Sequence, residues 1–428
     1  MKKRILCIIL TPLLLFFYTK LPCKSIEFGV YIISDRDSKY ENQNAFLDRV
    51  IDDFEKSYNI NVHYYSGIRE EDYSEWLWQQ ILKGKTPDVF MILENDFSKL
   101  VSLGVAENLN TFINNDNLNI EKYYKSVYEK GKGKDANLYA LPFEVEPKLM
   151  IVNKTLLKNN NINIPNQDWT WDEFYEISER ITKDVDGDGV LDYFGNFNYS
   201  WEDAMYSNSY TIKKMEDMYS MFLTDEVISS VVFYKRLNKL NGGYKVTQDN
   251  FDSGNVAFMP LYFSEYKTYK TYPYKVKKYD KFEWDCITMP KGSQGDNSST
   301  VKTILMGISN SSKNKMIAYE FLKYLTFDED VQTALYTESF GSSALKTVVS
   351  SDYADQILEG LNSDIEPVIN SELLNIVMEK STAAPNFPQY SEIISYANGY
   401  IVNIDDNIQR ELYIMQESIN NILDNNID

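Results

Sequence analysis

The sequence predicts an α/β fold of two lobes, each built on a central, mostly parallel sheet flanked by helices and joined by crossing hinge segments. Three observations support this. The chain has 428 residues, too many for one hydrophobic core. Strand-like and helix-like segments alternate from Ile26 onward, the pattern of a parallel sheet covered on both faces. Two short apolar segments, Leu138–Pro142 and Lys148–Val152, stand close together, as where a chain passes from one lobe to another. Hydrophobic residues make up 43%, ample for packing, and 18 Gly and 12 Pro are too few for a disordered or fibrous chain.

The elements follow in order. Ile26–Ile33 reads as a buried strand, and Phe46, Leu47, Val50, Ile51 and Phe54 mark one face of an amphipathic helix. Ile60, Val62 and Tyr64 alternate like a strand, and a helix is expected around Trp76–Leu82. Gly84 and Pro87 lead into the continuous apolar strand Val89–Leu93. Ser98–Leu103 is a short helix closed by Gly104. Thr170 and Glu173 form a capping box that starts a helix through Arg180. Met215–Leu240 is mostly helical, Val256–Phe258 is a short strand, and the Tyr- and Lys-rich stretch Lys267–Lys281 is irregular or an edge hairpin. Trp284–Pro290 is another crossing strand.

Ser311 and Ser312 cap a helix that turns Ile317, Phe321, Tyr324 and Leu325 inward, and Asp328 and Glu329 start the next. Ile401, Ile404, Ile408, Leu412, Met415, Ile419 and Ile422 form one stripe of a final helix. The division expected is an export signal over 1–25, a first lobe from 26–145 and 288–335, and a second from 146–287 and 336–428.

Lys2, Lys3 and Arg4 precede an apolar run from Ile5 to Tyr18, short for a membrane span and suited to an export signal. Cys23 stands where a lipoprotein cysteine would, although Lys20, Leu21 and Pro22 are not the usual small-residue approach. Cleavage after Ser25 is the competing reading. The chain is therefore expected on the extracellular face of the cytoplasmic membrane or in the periplasm.

The formal net charge of −20 argues against a partner that tracks phosphates, so no nucleic acid is expected. The one histidine, His63, would have to carry any Ser-His-Asp or Cys-His chemistry alone. Cys7, Cys23 and Cys286 have no paired spacing for zinc, and Cys286, in an apolar context, reads as a buried thiol.

Asp184, Asp186, Asp188 and Asp192 copy places 1, 3, 5 and 9 of a calcium loop, with Gly189 at the sharp turn and Val190 at the carbonyl-donating place. Gly195 occupies the twelfth place, where a bidentate Glu normally closes the shell. A more distant acid, Glu202 or Asp203, would have to complete it. The expectation is a structural Ca2+, with a solvated acidic turn as the alternative and no other cofactor required.

Several stretches carry a resemblance that runs along nearly the whole chain. They are Gly84-Lys-Thr-Pro-Asp-Val-Phe90, Tyr139-Ala-Leu-Pro-Phe143 with Val152-Asn-Lys154, and Trp169-Thr-Trp-Asp-Glu-Phe174. The acidic run Thr182–Gly195, then Phe251–Met259 and Ala318–Leu325, follow in the same order. In these the chain resembles the family 1 extracellular solute-binding proteins of ABC importers, the maltose-binding-protein-like, carbohydrate type. The resemblance implies a two-lobed periplasmic-binding-protein-like fold of type II, a sugar or oligosaccharide held between the lobes, ABC permease subunits as partners and a monomer with no catalytic residues.

Ligands of open α/β sheets bind beyond the carboxyl ends of the strands. That rule selects Ser34, Asp35 and Arg36 after the first strand and Glu94, Asn95 and Asp96 after the third, with Glu144 and Glu146 at the first crossing. Arg36 also leaves room for an acidic solute. Resemblance adds Trp201, Tyr262, Phe263, Tyr266 and Tyr390 as flat faces for a sugar ring. Two other function classes fit an exported chain rich in acids: a two-carboxylate glycosidase and a surface sugar sensor.

Overall fold

The computed structural model describes residues 24–31, 41–65, 67–212, 215–271, 282–360, 369–387 and 389–425. Residues 1–23 of the expected export signal, Cys23 among them, and Ser34, Asp35 and Arg36 lie outside the described residues. The strands are β1 (Lys24–Gly29), β2 (Ile60–Tyr64), β3 (Val89–Ile92), β4 (Ala140–Asn153), β5 (Phe194–Asn196), β6 (Val256–Tyr262), β7 (Trp284–Ile287), β8 (Thr300–Ile308), β9 (Ser342–Ser343) and β10 (Thr382–Ala383). Their hydrogen-bonded path runs β2-β1-β3-β8-β4-β6-β5.

The path is two sheets sharing one strand. Ala140–Pro147 of β4 pair with β8, while Lys148–Val152 pair with β6 and Met150–Asn153 with β7. The two crossing strands expected from the sequence are thus one strand of 14 residues. Pro142 and Pro147 lie within it, although proline cannot donate to a ladder. The structure absorbs Pro142 at a register shift between Pro142 and Glu144. The sheets are mixed rather than mostly parallel. β1 runs parallel to β2 and β3, but β8 lies antiparallel to both β3 and β4. Sequence alternation reported the first three strands correctly and could not reveal that β8 returns between β3 and β4.

The main helices are α1 (Glu41–Tyr58), α2 (Glu70–Leu82), α3 (Glu94–Ser102), α4 (Trp171–Ile181), α5 (Trp201–Ser207), α6 (Asp225–Lys239), α7 (Phe263–Thr271), α8 (Lys315–Phe327), α9 (Glu329–Glu338), α10 (Ser371–Lys380), α11 (Tyr390–Val402) and α12 (Ile408–Asn425). Phe28, Phe54 and Phe321 pack ring to ring beneath the first sheet, at centroid distances of 5.2 and 4.9 Å. Trp169, Phe174 and Phe258 do the same beneath the second. The Thr170–Glu173 capping box forms as expected, and Gly104 at φ +66° ends the turn after α3. The single terminal helix expected from the Ile stripe is instead α11 and α12, broken where Asn407 adopts φ 53°. Asn314, not Ser311 or Ser312, is the N-cap of α8. Met215–Leu223 forms two 3-10 turns before α6 begins. α7 gives Lys267 a helical place, and 272–281 lie outside the described residues.

β9 and β10 pair with β4 and β8 of the first sheet, so residues 342–383 begin and end on that sheet although the sequence division places them in the second lobe. Cys286 is buried in β7, and His63 is exposed on the edge strand β2. Among the described residues, no helix is long and apolar enough to cross a membrane.

Gln332 of α9 holds this junction together. Its fully buried amide donates to the carbonyls of Phe143 (3.1 Å) and Leu325 (2.9 Å) and accepts from Ser343 Oγ (2.7 Å) and the Ala344 N–H (3.3 Å). Gln332→Met strands these buried groups and is expected to lower the unfolding free energy by about 1–3 kcal/mol in a denaturant titration.

Candidate functional site

Alternation along β4 places Glu144, Glu146 and Lys148 on one face, two residues apart. Glu146 and Lys148 are the half-buried positions of an otherwise buried strand. In register, Glu146 lies opposite Lys302 of β8, and Lys148 lies opposite Tyr262 of β6. Four side chains from three strands therefore meet where the two sheets join. The Lys302 Nζ sits 3.9 Å from the centroid of the Tyr262 ring, and the Lys148 Nζ sits 5.5 Å from it. Ser264 Oγ donates to Glu146 at 2.8 Å.

Charge is neutralised locally. Lys148 Nζ lies 2.5 Å from Asp203, which is buried at the N-terminus of α5 and also accepts from the Ser200 N–H and hydroxyl. Burial works against the Lys148 ammonium, but Asp203 and then Tyr262 hold its pKa above the ordinary lysine value. Burial raises the Glu146 carboxyl, with Glu70 and Glu265 adding repulsion, while Lys302 and Ser264 partly offset it.

A second group adjoins the first. Glu94, at the start of α3, lies 3.1 Å from the buried Lys130. Tyr206 and Tyr390 join their hydroxyls at 2.7 Å. Burial raises the pKa of both phenols, and both also feel Glu94 and Glu202, while Tyr206 feels Tyr262 as well. Tyr206 is thus within electrostatic reach of Glu94, Glu202, Tyr262 and Tyr390. Asn95 accepts from Ser391 of α11 at 2.5 Å.

The other sequence candidates are turned elsewhere. Asp96 is buried and accepts the Trp78 indole N–H at 2.9 Å. Glu144 is buried and accepts the Gly341 N–H at 2.5 Å. Trp201 is buried between helices, against Phe222, with its N–H on Asn398. Phe263 and Tyr266 are stacked in the core. None of these four buried side chains around the site, nor Asp96, presents a free face to a solute. An aromatic-rich chain with 33 Tyr and 22 Phe spends most of its rings on packing, which is why resemblance over-selected here. Lys148, Lys302, Tyr206, Ser264 and Lys130 were missed. The period-2 run Glu144-x-Glu146-x-Lys148 was the available signal for Lys148.

The acidic loop is separate. Carboxylate oxygens of Asp184, Asp186 and Asp188 come within 4.8 Å of one another. Asp184 accepts the N–H groups of Gly189 (2.8 Å) and Gly187 (2.7 Å), which hold its carboxyl below the usual range. Asp192 turns instead to the Val185 N–H at 2.7 Å, and Val190 donates its N–H to Asp188 at 2.7 Å. The twelfth place cannot be filled: a Cβ on Gly195 would meet the Ser178 Cα at 2.4 Å. Glu202 is bound by Asn398 and Asp203 by Lys148, so neither distant acid closes the shell. Three carboxylates fit a hard cation, and the closing ligand does not form.

A family model described as bacterial extracellular solute-binding protein matches residues 38–332. Among solved structures, the cyclic α-maltosyl-1,6-maltose binding protein of Arthrobacter globiformis matches with TM-score 0.75 at 15% identity, over 94% of this chain and 99% of that one. An extracellular solute-binding protein of Staphylococcus aureus in complex with maltose matches with TM-score 0.71 at 18% identity, over 95% and 99%. UgpB of Mycobacterium tuberculosis, in complex with glycerophosphocholine, matches with TM-score 0.69 at 14% identity, over 94% and 99%. These likenesses establish the two-lobed fold.

Removing one partner of a buried pair strands the other. Asp203→Ala leaves Lys148 desolvated and unpaired, and is expected to cost about 3–5 kcal/mol of unfolding free energy, with recovery of part of that loss in Asp203→Ala/Lys148→Met. Chemical denaturation of the three proteins measures it.

Proposed function

From the premise that this chain belongs to the bacterial extracellular solute-binding proteins, we propose that it captures a sugar or oligosaccharide between its lobes and delivers it to ABC permease subunits. The observation that carries this reading is the junction face of Lys302, Glu146, Lys148 and Tyr262. It offers charged donors and acceptors for hydroxyl groups beside one aromatic ring for the apolar side of a sugar. The sugars bound by structurally similar proteins, cyclic α-maltosyl-1,6-maltose and maltose, support the same class. The chain acts outside the cytoplasmic membrane, as a monomer, and breaks no bond in its solute. Its acidic balance of −20 agrees with having no nucleic-acid partner. Anchoring through Cys23 is a further part of the proposal, tested by metabolic labelling with a fatty acid.

A thermal-shift screen of mono- and oligosaccharides, with glycerophosphocholine included, tests the solute class. A sugar present at about a hundred times its Kd adds about 2.7 kcal/mol of stability, so the melting temperature rises. Tyr262→Ala and Glu146→Gln are each expected to weaken that sugar about tenfold or more by calorimetry, about 1.4 kcal/mol. A shift with glycerophosphocholine alone replaces the sugar with a phosphodiester solute. Release of shortened glycans on incubation would support the glycosidase alternative.

The loop Asp184–Asp192 is proposed as a weak calcium site, supported by the three converging carboxylates. Calcium is expected to raise the melting temperature of the parent protein but not of Asp186→Ala/Asp188→Ala. Equal curves for both proteins leave a solvated turn.

A further inference from the structure

Glu144 and Lys267 form a buried ionisable pair that the capture face does not use. Lys267 belongs to α7, which follows β6 of the second sheet, and its ammonium donates to the carbonyls of Tyr336 (2.5 Å), Gly341 (2.8 Å) and Ser339 (3.1 Å). Those carbonyls belong to the end of α9 and the segment leading into β9, which pairs with the first-sheet half of β4. Glu144, on that half of β4, accepts the Gly341 N–H at 2.5 Å. One short segment is therefore gripped from the second-sheet side by an ammonium and from the shared strand by a carboxylate. Phe263 of α7 stacks on Tyr336 across the same junction, with centroids 6.1 Å apart and planes 10° from parallel, and Lys267 sits 5.1 and 4.8 Å from the two rings. A Cβ at Gly341 would stand 2.3 Å from the Glu144 carboxylate, so only glycine permits this approach.

We propose that Glu144 and Lys267 are positioning residues that clamp the Tyr336–Gly341 segment and thereby set the angle between the lobes at which the capture face meets its solute. The inference rests on the reading of two lobes closing on a solute, but not on the identity of that solute.

Lone charges this deeply buried are costly, so the pair responds to proton concentration. Burial lifts the Glu144 carboxyl and lowers the Lys267 ammonium toward neutrality, each partly offset by the other's charge. The sign follows from linkage. With its pKa raised in the fold, Glu144 favours the folded state at low pH and loses that contribution as pH rises through its folded value. With its pKa lowered, Lys267 favours the folded state at high pH and loses that contribution as pH falls through its own. Protonating Glu144 weakens its grip on the Gly341 N–H, and deprotonating Lys267 weakens its grip on the three carbonyls. Other titratable and charged groups face these residues: Tyr31 and Glu146 toward Glu144, Lys302, Glu70 and Glu265 toward Glu146, and Tyr266, Tyr124 and Asp355 toward Tyr336.

Energy transfer between fluorophores attached through unnatural amino acids at the exposed positions Leu82 and Val232, one in each lobe, reads the lobe angle of the full chain without solute. The efficiency is expected to change between about pH 5.5 and 8.5 in the parent protein and in His63→Gln, and to be flat in Glu144→Gln/Lys267→Met. A flat parent profile, a response lost in His63→Gln, or a full response kept in the double variant overturns the proposal. Should the double variant not fold, the parent and His63→Gln profiles decide it. Failure here leaves sugar binding, tested by the melting screen, unaffected.

Discussion

Everything in this molecule depends on one strand that runs through both sheets. β4 hydrogen-bonds to β8 along its first half and to β6 and β7 along its second, so the lobes share backbone hydrogen bonds rather than only a flexible tether. A strand presents alternate residues to opposite faces. Once β4 runs through both sheets, its charged residues at 144, 146 and 148 have no choice but to line the junction. The site is thus a by-product of strand geometry, completed by whatever β6 and β8 place opposite.

Electrostatics then decides what each of these residues does. Glu144 sits deepest and is spent on Gly341, Glu146 meets Lys302 at the half-buried level, and Lys148 is held by Asp203 from a helix N-terminus. The same residue type on the same face serves three purposes according to depth. Glu144, 1% exposed, binds the Gly341 backbone N–H. Glu146, only half-buried, is held by the Ser264 hydroxyl and feels the Lys302 ammonium.

The architecture was legible in the sequence where local periodicity controls it. The amphipathic helix α1, the capping box at Thr170 and the parallel β1–β3 group all follow from short-range pattern, whereas the long Ile stripe hid the break at Asn407. Long-range pairing was not legible: β8 inserting between β3 and β4, and the fusion of two apparent strands into β4, depend on partners about 160 residues apart in places. Site residues divided the same way. Glu146 and Tyr262 lie at the junction, while Tyr390 is buried in the same cluster as Trp201 with its hydroxyl on Tyr206. Trp201, Phe263 and Tyr266 went into packing because a ring's value to the core is indistinguishable, in one sequence, from its value to a ligand. Lys302 was invisible because nothing local marks a lysine whose partner is the opposite residue on a neighbouring strand. Ser34, Asp35 and Arg36 lie outside the described residues.

The ammonium of Lys302 rests on the Tyr262 ring, where a flat sugar face would otherwise lie. A solute stacking on that face of the ring would take the lysine's place, so recognition there would be an exchange of partners rather than an addition. A molecule able to cover the ring but unable to re-solvate or hydrogen-bond the displaced lysine gains little. On the proposed capture face, Lys302 would thereby discriminate against purely apolar molecules without itself stacking on the solute.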